Sequence, residues 1–173
     1  MGKSPLTIQQ IKELDRVLIL AFERHRKLRQ EFPVACHIKF PQIPQALSES
    51  LVIAARATLF GPEYQARCGG GKECDVVLTD GSQQDHRVEV KATASNSFQE
   101  IKSKDLCADF LVWVDFGSRY EQGTGPIRTF VLPKPQSAGL IAGRIRLPQF
   151  KAVGARSDRF VEHRWESLDA LLK

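Results

Sequence analysis

Apolar positions change their period several times along the chain, and each change predicts an element. From Thr7 to Gln30, Ile11, Leu14, Leu18, Ala21, Phe22 and Leu28 fall largely on one face of a 3.6-residue repeat, which predicts a long amphipathic helix. Thr7 with Gln10 three residues later has the form of a capping box. Arg24, Arg26, Lys27 and Arg29 place positive charge at the negative end of the helix dipole, where phosphate contact is an alternative use for them. Pro33, Pro41 and Pro44 then break the pattern. A second helix is expected from near Ser48, capped by Ser48 or the residue before it, carrying Glu49 in its first turn and stopped by Gly61-Pro62.

The period then shortens. Asp75 to Thr79 and Val88 to Ala92 read as two strands joined by a turn at Asp80-Gly81, the connection being longer than a minimal hairpin. Ser97 to Leu106 reads as a helix with Phe98 and Ile101 inward. Phe110 to Phe116 is a continuous apolar run that predicts a buried central strand. Further strands are expected at Ile127 to Leu132, Arg144 to Leu147 and Arg159 to Trp165, with a closing helical turn from Ser167 to Leu172. The order predicts a mixed α/β fold, with helices covering both faces of a central sheet.

With 173 residues and 42% apolar content, the chain is expected to form one domain with a real core. No apolar run approaches the roughly 18 residues that span a bilayer, and the N-terminus lacks a signal-peptide pattern. A soluble, cytoplasmic protein is therefore expected. Cys36, Cys68, Cys74 and Cys107 have no zinc-site spacing, and His25, His37, His86 and His163 are scattered, so reduced thiols are the reading. A net charge of +5 leans modestly toward polyanionic partners.

The chemistry concentrates on the return strand. Side chains alternate along a strand, so Val88, Val90 and Ala92 face one way while Glu89 and Lys91 sit side by side on the other. Asp75 heads the neighbouring strand and can meet Glu89 at one rim. Two carboxylates suit Mg²⁺, a hard cation that takes one or two carboxylates together with water and phosphate oxygens. The Val90 carbonyl is a further candidate ligand. Lys91 suits orientation or deprotonation of an attacking water, or stabilisation of a charged transition state. Glu73 is a rival for the role of Asp75, and Asp80 and Asp85 lie nearby in the connection.

An acid-bearing helix, an Asp heading a strand, E-x-K on the next strand, then a helix and a core strand together resemble the PD-(D/E)xK nuclease superfamily. The likeness covers roughly Ser48 to Phe116, and small type II restriction endonucleases are the nearest in character. It implies a restriction-endonuclease-like fold with a catalytic core at about 48–116. It also implies metal-binding roles for Asp75 and Glu89, a catalytic Lys91 and a supporting acid at Glu49, with Mg²⁺ as cofactor and Mn²⁺ as its substitute. Gln99, eight residues after Lys91, matches an orienting Gln in some relatives. Cys74 stands where the family has proline.

The resemblance further implies cleavage of double-stranded DNA, a homodimer on a palindromic site and a companion DNA methyltransferase. A repair, junction-resolving or transposon-end nuclease and a non-catalytic DNA-binding domain are the competing readings. Contacts to DNA are expected from Ser95 to Ser97, from Arg119 to Gln122, and from the basic region at about 117–173. That region contains Lys134, Gln136, Arg144, Arg146, Gln149, Lys151, Arg156 and Arg159.

Overall fold

The computed structural model describes residues 4–32, 41–70, 74–94 and 97–173. Pro33, Cys36, His37, Glu73, Ser95 and Asn96 therefore lie outside the described residues. The chain is a mixed α/β protein with a mostly antiparallel six-stranded sheet flanked by helices. Helix α1, Ile8–Glu31, opens with the expected capping box, in which Thr7 Oγ1 accepts from the Gln10 amide and Gln10 Oε1 accepts from the Thr7 amide. Among the described residues, no helix is long and apolar enough to cross a membrane.

Helix α2, Gln45–Ala54, starts earlier than the sequence predicts, with Pro44 rather than a polar residue at the cap. Ser48 is inside it, donating its hydroxyl to the Gln45 carbonyl, so the helix begins where proline geometry permits. A short α3, Arg56–Phe60, ends at Gly61, whose φ of 123° favours glycine.

The large sheet comprises β1 (Gln65–Cys68), β2 (Val76–Thr79), β3 (Asp85–Thr93), β5 (Phe110–Asp115), β6 (Ile127–Pro133) and β8 (Val161–Trp165). Its order is β1-β2-β3-β5-β6-β8. The β3–β5 pair is parallel, and every other neighbour pair is antiparallel. A parallel pair forces the chain to return across a sheet face before it can re-enter beside β3. That crossover contains β4 (Gln99–Ile101) and α4 (Ser103–Leu106). Strand β4 pairs with β7 (Gly143–Ile145) in a separate two-stranded ribbon.

The helix expected over Ser97 to Leu106 is thus a short strand followed by one helical turn. Phe98 and Ile101 mimic a helical spacing, but β4 finds a partner more than forty residues away, and tertiary pairing overrides the local pattern. Three further helices complete the chain: α5 (Arg119–Gln122), α6 (Leu147–Gly154) and α7 (Leu168–Leu171). The sequence did not predict α6; it has proline in its first turn and buries only Phe150 and Gly154.

Two apolar clusters occupy the two faces of the sheet. Val88, Val90, Val112 and Val114 pack with α1 and α2 on one face. Leu111, Trp113, Phe130 and Leu132 pack with Ile101, Ile145 and Phe150 on the other. Strand β5, covered on both faces, is the buried centre that its apolar run predicts.

Candidate active site

Period two on β3 separates its side chains between those two faces. Glu89 and Lys91 are in register with Leu111 and Trp113 of β5, so they share the face over which the crossover returns. That return places α4 above them. Lys104 Nζ lies 3.0 Å from each Glu89 carboxylate oxygen. Lys91 Nζ lies 2.7 Å from Asp105 Oδ2.

Asp75 joins from the other side. Its backbone continues the hairpin ladder, with the amide donating to the Val88 carbonyl at 3.2 Å. Its carboxylate accepts from the Val90 amide at 2.8 Å through Oδ2 and from Gln45 Nε2 at 2.8 Å through Oδ1. The amide and carbonyl of one strand residue lie on the same edge, so the Val90 carbonyl is on the Asp75 side. Gly69 fixes this approach: its amide donates to the Asp75 carbonyl at 2.9 Å, and a Cβ there would fall 2.3 Å from the Cys74 carbonyl oxygen.

Asp75, Glu89, Val90 and Lys91 line one cleft of ≈ 730 Å³, together with Gln45, Ser48, Gln99 and Lys104. Glu49 is buried on α2 at 3% exposure and does not line it. The helix instead presents Gln45, one turn earlier, to Asp75. Gln99 donates to the Ala92 carbonyl at 2.7 Å, which ties the ribbon to the strand bearing Lys91. Asp80 and Asp85 belong to the hairpin, paired with His86 and Arg67, and neither lines the cleft.

Burial pushes the Glu89 carboxyl up to about 7, the Asp75 charge adds to the rise, and Lys104 opposes it. For Lys104 itself, burial opposes the charged form, but the hydrogen bond to Glu89 and the charges of Glu89, Asp75 and Asp105 outweigh it and raise its pKa. Asp105 is fully buried; it also accepts from the Lys102 amide, and its Oδ1 has no hydrogen-bond partner among the described residues.

Asp75 and Glu89 fit a hard divalent cation on their chemistry. They are two oxygen donors, 6% and 1% exposed, whose mutual repulsion a cation relieves. Among the described residues no group of three or more His, Cys, Asp or Glu is placed to hold a metal ion.

Gln45, Lys104 and Asp105 escaped the sequence reading. Lys104 and Asp105 approach the strand only through the crossover, and Gln45 sat ahead of the expected helix start. Arg119 and Tyr120, expected to face DNA, are instead buried against α1. Arg119 Nη2 lies 2.6 Å from Asp15 Oδ2, Tyr120 Oη donates to Asp15 Oδ1 at 3.1 Å, and the Tyr120 ring stacks on Phe22. A charge so enclosed serves packing between α1 and α5.

Comparison of the chain with protein-family models, with curated proteins and with solved structures finds no match.

Proposed function

We propose that this chain is a Mg²⁺-dependent endonuclease of the PD-(D/E)xK type, hydrolysing phosphodiester bonds in double-stranded DNA as a type II restriction endonuclease. The observation that carries the reading is the convergence of Asp75, Glu89, Val90 and Lys91 on one cleft from two adjacent strands. The antiparallel hairpin followed by a parallel core strand supports the restriction-endonuclease-like fold.

In this reading Asp75 and Glu89 hold the cation, with the Val90 carbonyl on the same rim. When bound, the cation supplies positive charge at the scissile phosphate and makes a water more acidic. The chain's own groups do the rest. Gln45 and the Val90 amide fix both oxygens of Asp75, so its carboxylate has one orientation. Asp105 aims the Lys91 ammonium, which orients the attacking water and stabilises negative charge on the phosphate. Lys104, 40% exposed over a buried Glu89, would have to release that carboxylate for Glu89 to hold a cation. Glu49, buried in α2 and away from the cleft lining, has no part in this reading. A two-fold dimer, each protomer cutting one strand, fits a palindromic site, and a companion methyltransferase belongs to the same proposal.

The test is incubation of plasmid DNA with Mg²⁺, with Mn²⁺ and with EDTA. Discrete fragments that disappear with EDTA are expected. No cleavage of methylated or unmethylated DNA with either ion overturns the reading.

A further inference from the structure

The β4–β7 ribbon turns its two faces to different tasks. Ile101 and Ile145 point into the second core and are 1% and 9% exposed. Alternation puts Phe98, Glu100, Arg144 and Arg146 on the opposite face. Phe98 is 44% exposed, and both guanidinium groups lie over its ring, Arg146 Cζ at 4.2 Å from the centroid and Arg144 Cζ at 5.2 Å.

Two like charges on one ring repel, and stacking on a phenyl face offsets this only in part. A carboxylate is at hand, since Glu100 is the register partner of Arg144. Even so, neither arginine has an ion-pair partner among the described residues. Arg128, Lys134 and Lys151 do, with Asp115, Asp109 and Glu162, while Arg156 and Arg159 are likewise without an ion pair among the described residues but stack on no ring. The ribbon therefore carries two pre-ordered planar cations with their charge uncompensated.

Position gives that charge a direction. Phe98 lines both the Asp75–Glu89 cleft and an adjoining depression of ≈ 460 Å³ formed with Arg146, Pro148 and Gln149. Lys102 continues the positive strip into the cleft, where the charge of Lys104 is met by Glu89. The Gln99 bond to the Ala92 carbonyl anchors the ribbon one residue beyond Lys91. An arm so anchored holds its arginines at a fixed offset from the reacting phosphate.

We infer that the β4–β7 ribbon is the arm that grips duplex DNA beside the scissile phosphate, with Arg144 and Arg146 as its backbone-phosphate contacts. This rests on the nuclease reading above and adds to it which surface holds the substrate. Guanidinium forks suit phosphate oxygens bidentately, and a ring beneath them lowers the cost of ordering them.

The experiment is equilibrium binding of labelled linear duplex DNA, duplex RNA and single-stranded DNA to the full chain in Ca²⁺, measured across a range of salt concentrations. Three proteins are compared: wild type, Arg144→Gln/Arg146→Gln, and Arg16→Gln/Arg164→Gln. The last pair removes the same charge from exposed positions on α1 and β8. Thermal melting confirms that all three are folded. Each phosphate contact contributes about 0.9 to the slope of log affinity against log salt, so losing two should reduce the slope by about 1.8 and weaken binding ~10–100-fold at moderate salt. The Arg16/Arg164 control should keep the wild-type slope.

An unchanged slope in the ribbon variant, or an equal change in the control, overturns the ribbon assignment while leaving the nuclease reading intact. Failure of the wild type to bind duplex DNA overturns both. A ribbon effect seen on duplex RNA or single-stranded DNA but absent on duplex DNA also overturns the inference.

Discussion

Lys91 Nζ lies 2.7 Å from Asp105 Oδ2, and Asp105 is wholly enclosed. The lysine that faces the cleft is therefore aimed by a carboxylate from the crossover and not by its own strand. The two lysines and two acids pair crosswise between β3 and α4, Glu89 with Lys104 and Lys91 with Asp105.

Replacing Asp105 by Asn should leave Lys91 present but poorly aimed. Loss of a group that orients an active-site residue typically costs 10–100-fold, so kcat should fall by about that factor. Affinity for duplex DNA in Ca²⁺ should change less than about threefold. Single-turnover cleavage and equilibrium binding measure the two separately. Equal losses in both would make Asp105 a packing residue only.

In the proposed site, Lys104 would compete with the metal for Glu89. Removing an ammonium 3.0 Å from the carboxylate should tighten Mn²⁺ binding to the free protein. A repulsion of about 1 kcal/mol at a partly exposed site corresponds to roughly fivefold in affinity. Titration calorimetry of Lys104→Ala with Mn²⁺ checks this. Weaker Mn²⁺ binding in the variant would show that Lys104 supports the metal site.

Glu89 carries a stability consequence of definite sign. Burial first, and the Asp75 charge second, raise its folded-state pKa to about 7, above the ordinary 4.5. Between those values the folded state binds the proton that the unfolded chain has lost. Stability from this group is therefore fully present below about 4.5 and is lost as pH rises through about 7. In EDTA, Glu89→Gln should then be more stable than wild type at pH 8, by about 1–2 kcal/mol, with the difference shrinking toward pH 4.5. Chemical denaturation at the two pH values reads it directly. A variant less stable at pH 8 would mean that the Lys104 pair outweighs the burial of the charge.

Arg119 and Asp15 provide the contrast of a buried pair that serves the fold. Asp15→Ala leaves the Arg119 guanidinium enclosed without its carboxylate and should cost about 3–5 kcal/mol. Duplex affinity per folded molecule should be unchanged. Urea unfolding and binding isotherms at low temperature separate the two effects. A loss of DNA affinity without loss of stability would return Arg119 to the binding surface.

Much of the frame was legible in the chain. Thr7 and Gln10 marked the first cap, the run from Phe110 marked the central strand, and alternation around Val90 set Glu89 and Lys91 on one face. These are local signals, with both partners inside one window of sequence. What was not legible depends on pairings between distant segments. Gln99 to Ile101 became a strand because Gly143 to Ile145 is beside it, and Asp105 met Lys91 because parallel pairing of β3 with β5 folds the crossover back. Arg119 looked like a loop arginine until Asp15, on another helix, came within 2.6 Å. Glu49 was expected at the site from its place in the second helix, but the cleft is lined from that helix by Gln45 and Ser48.

Asp75, Glu89 and Lys91 are proposed to form one phosphodiester-hydrolysing site. The most direct measurement of this is single-turnover cleavage of plasmid DNA in Mg²⁺ by wild type, Lys91→Ala and Glu89→Ala, with melting curves recorded alongside. Wild type should give discrete fragments, each variant should lose at least about a thousandfold in rate, and all three proteins should be folded. Cleavage by folded Lys91→Ala at a near wild-type rate would contradict the proposed site.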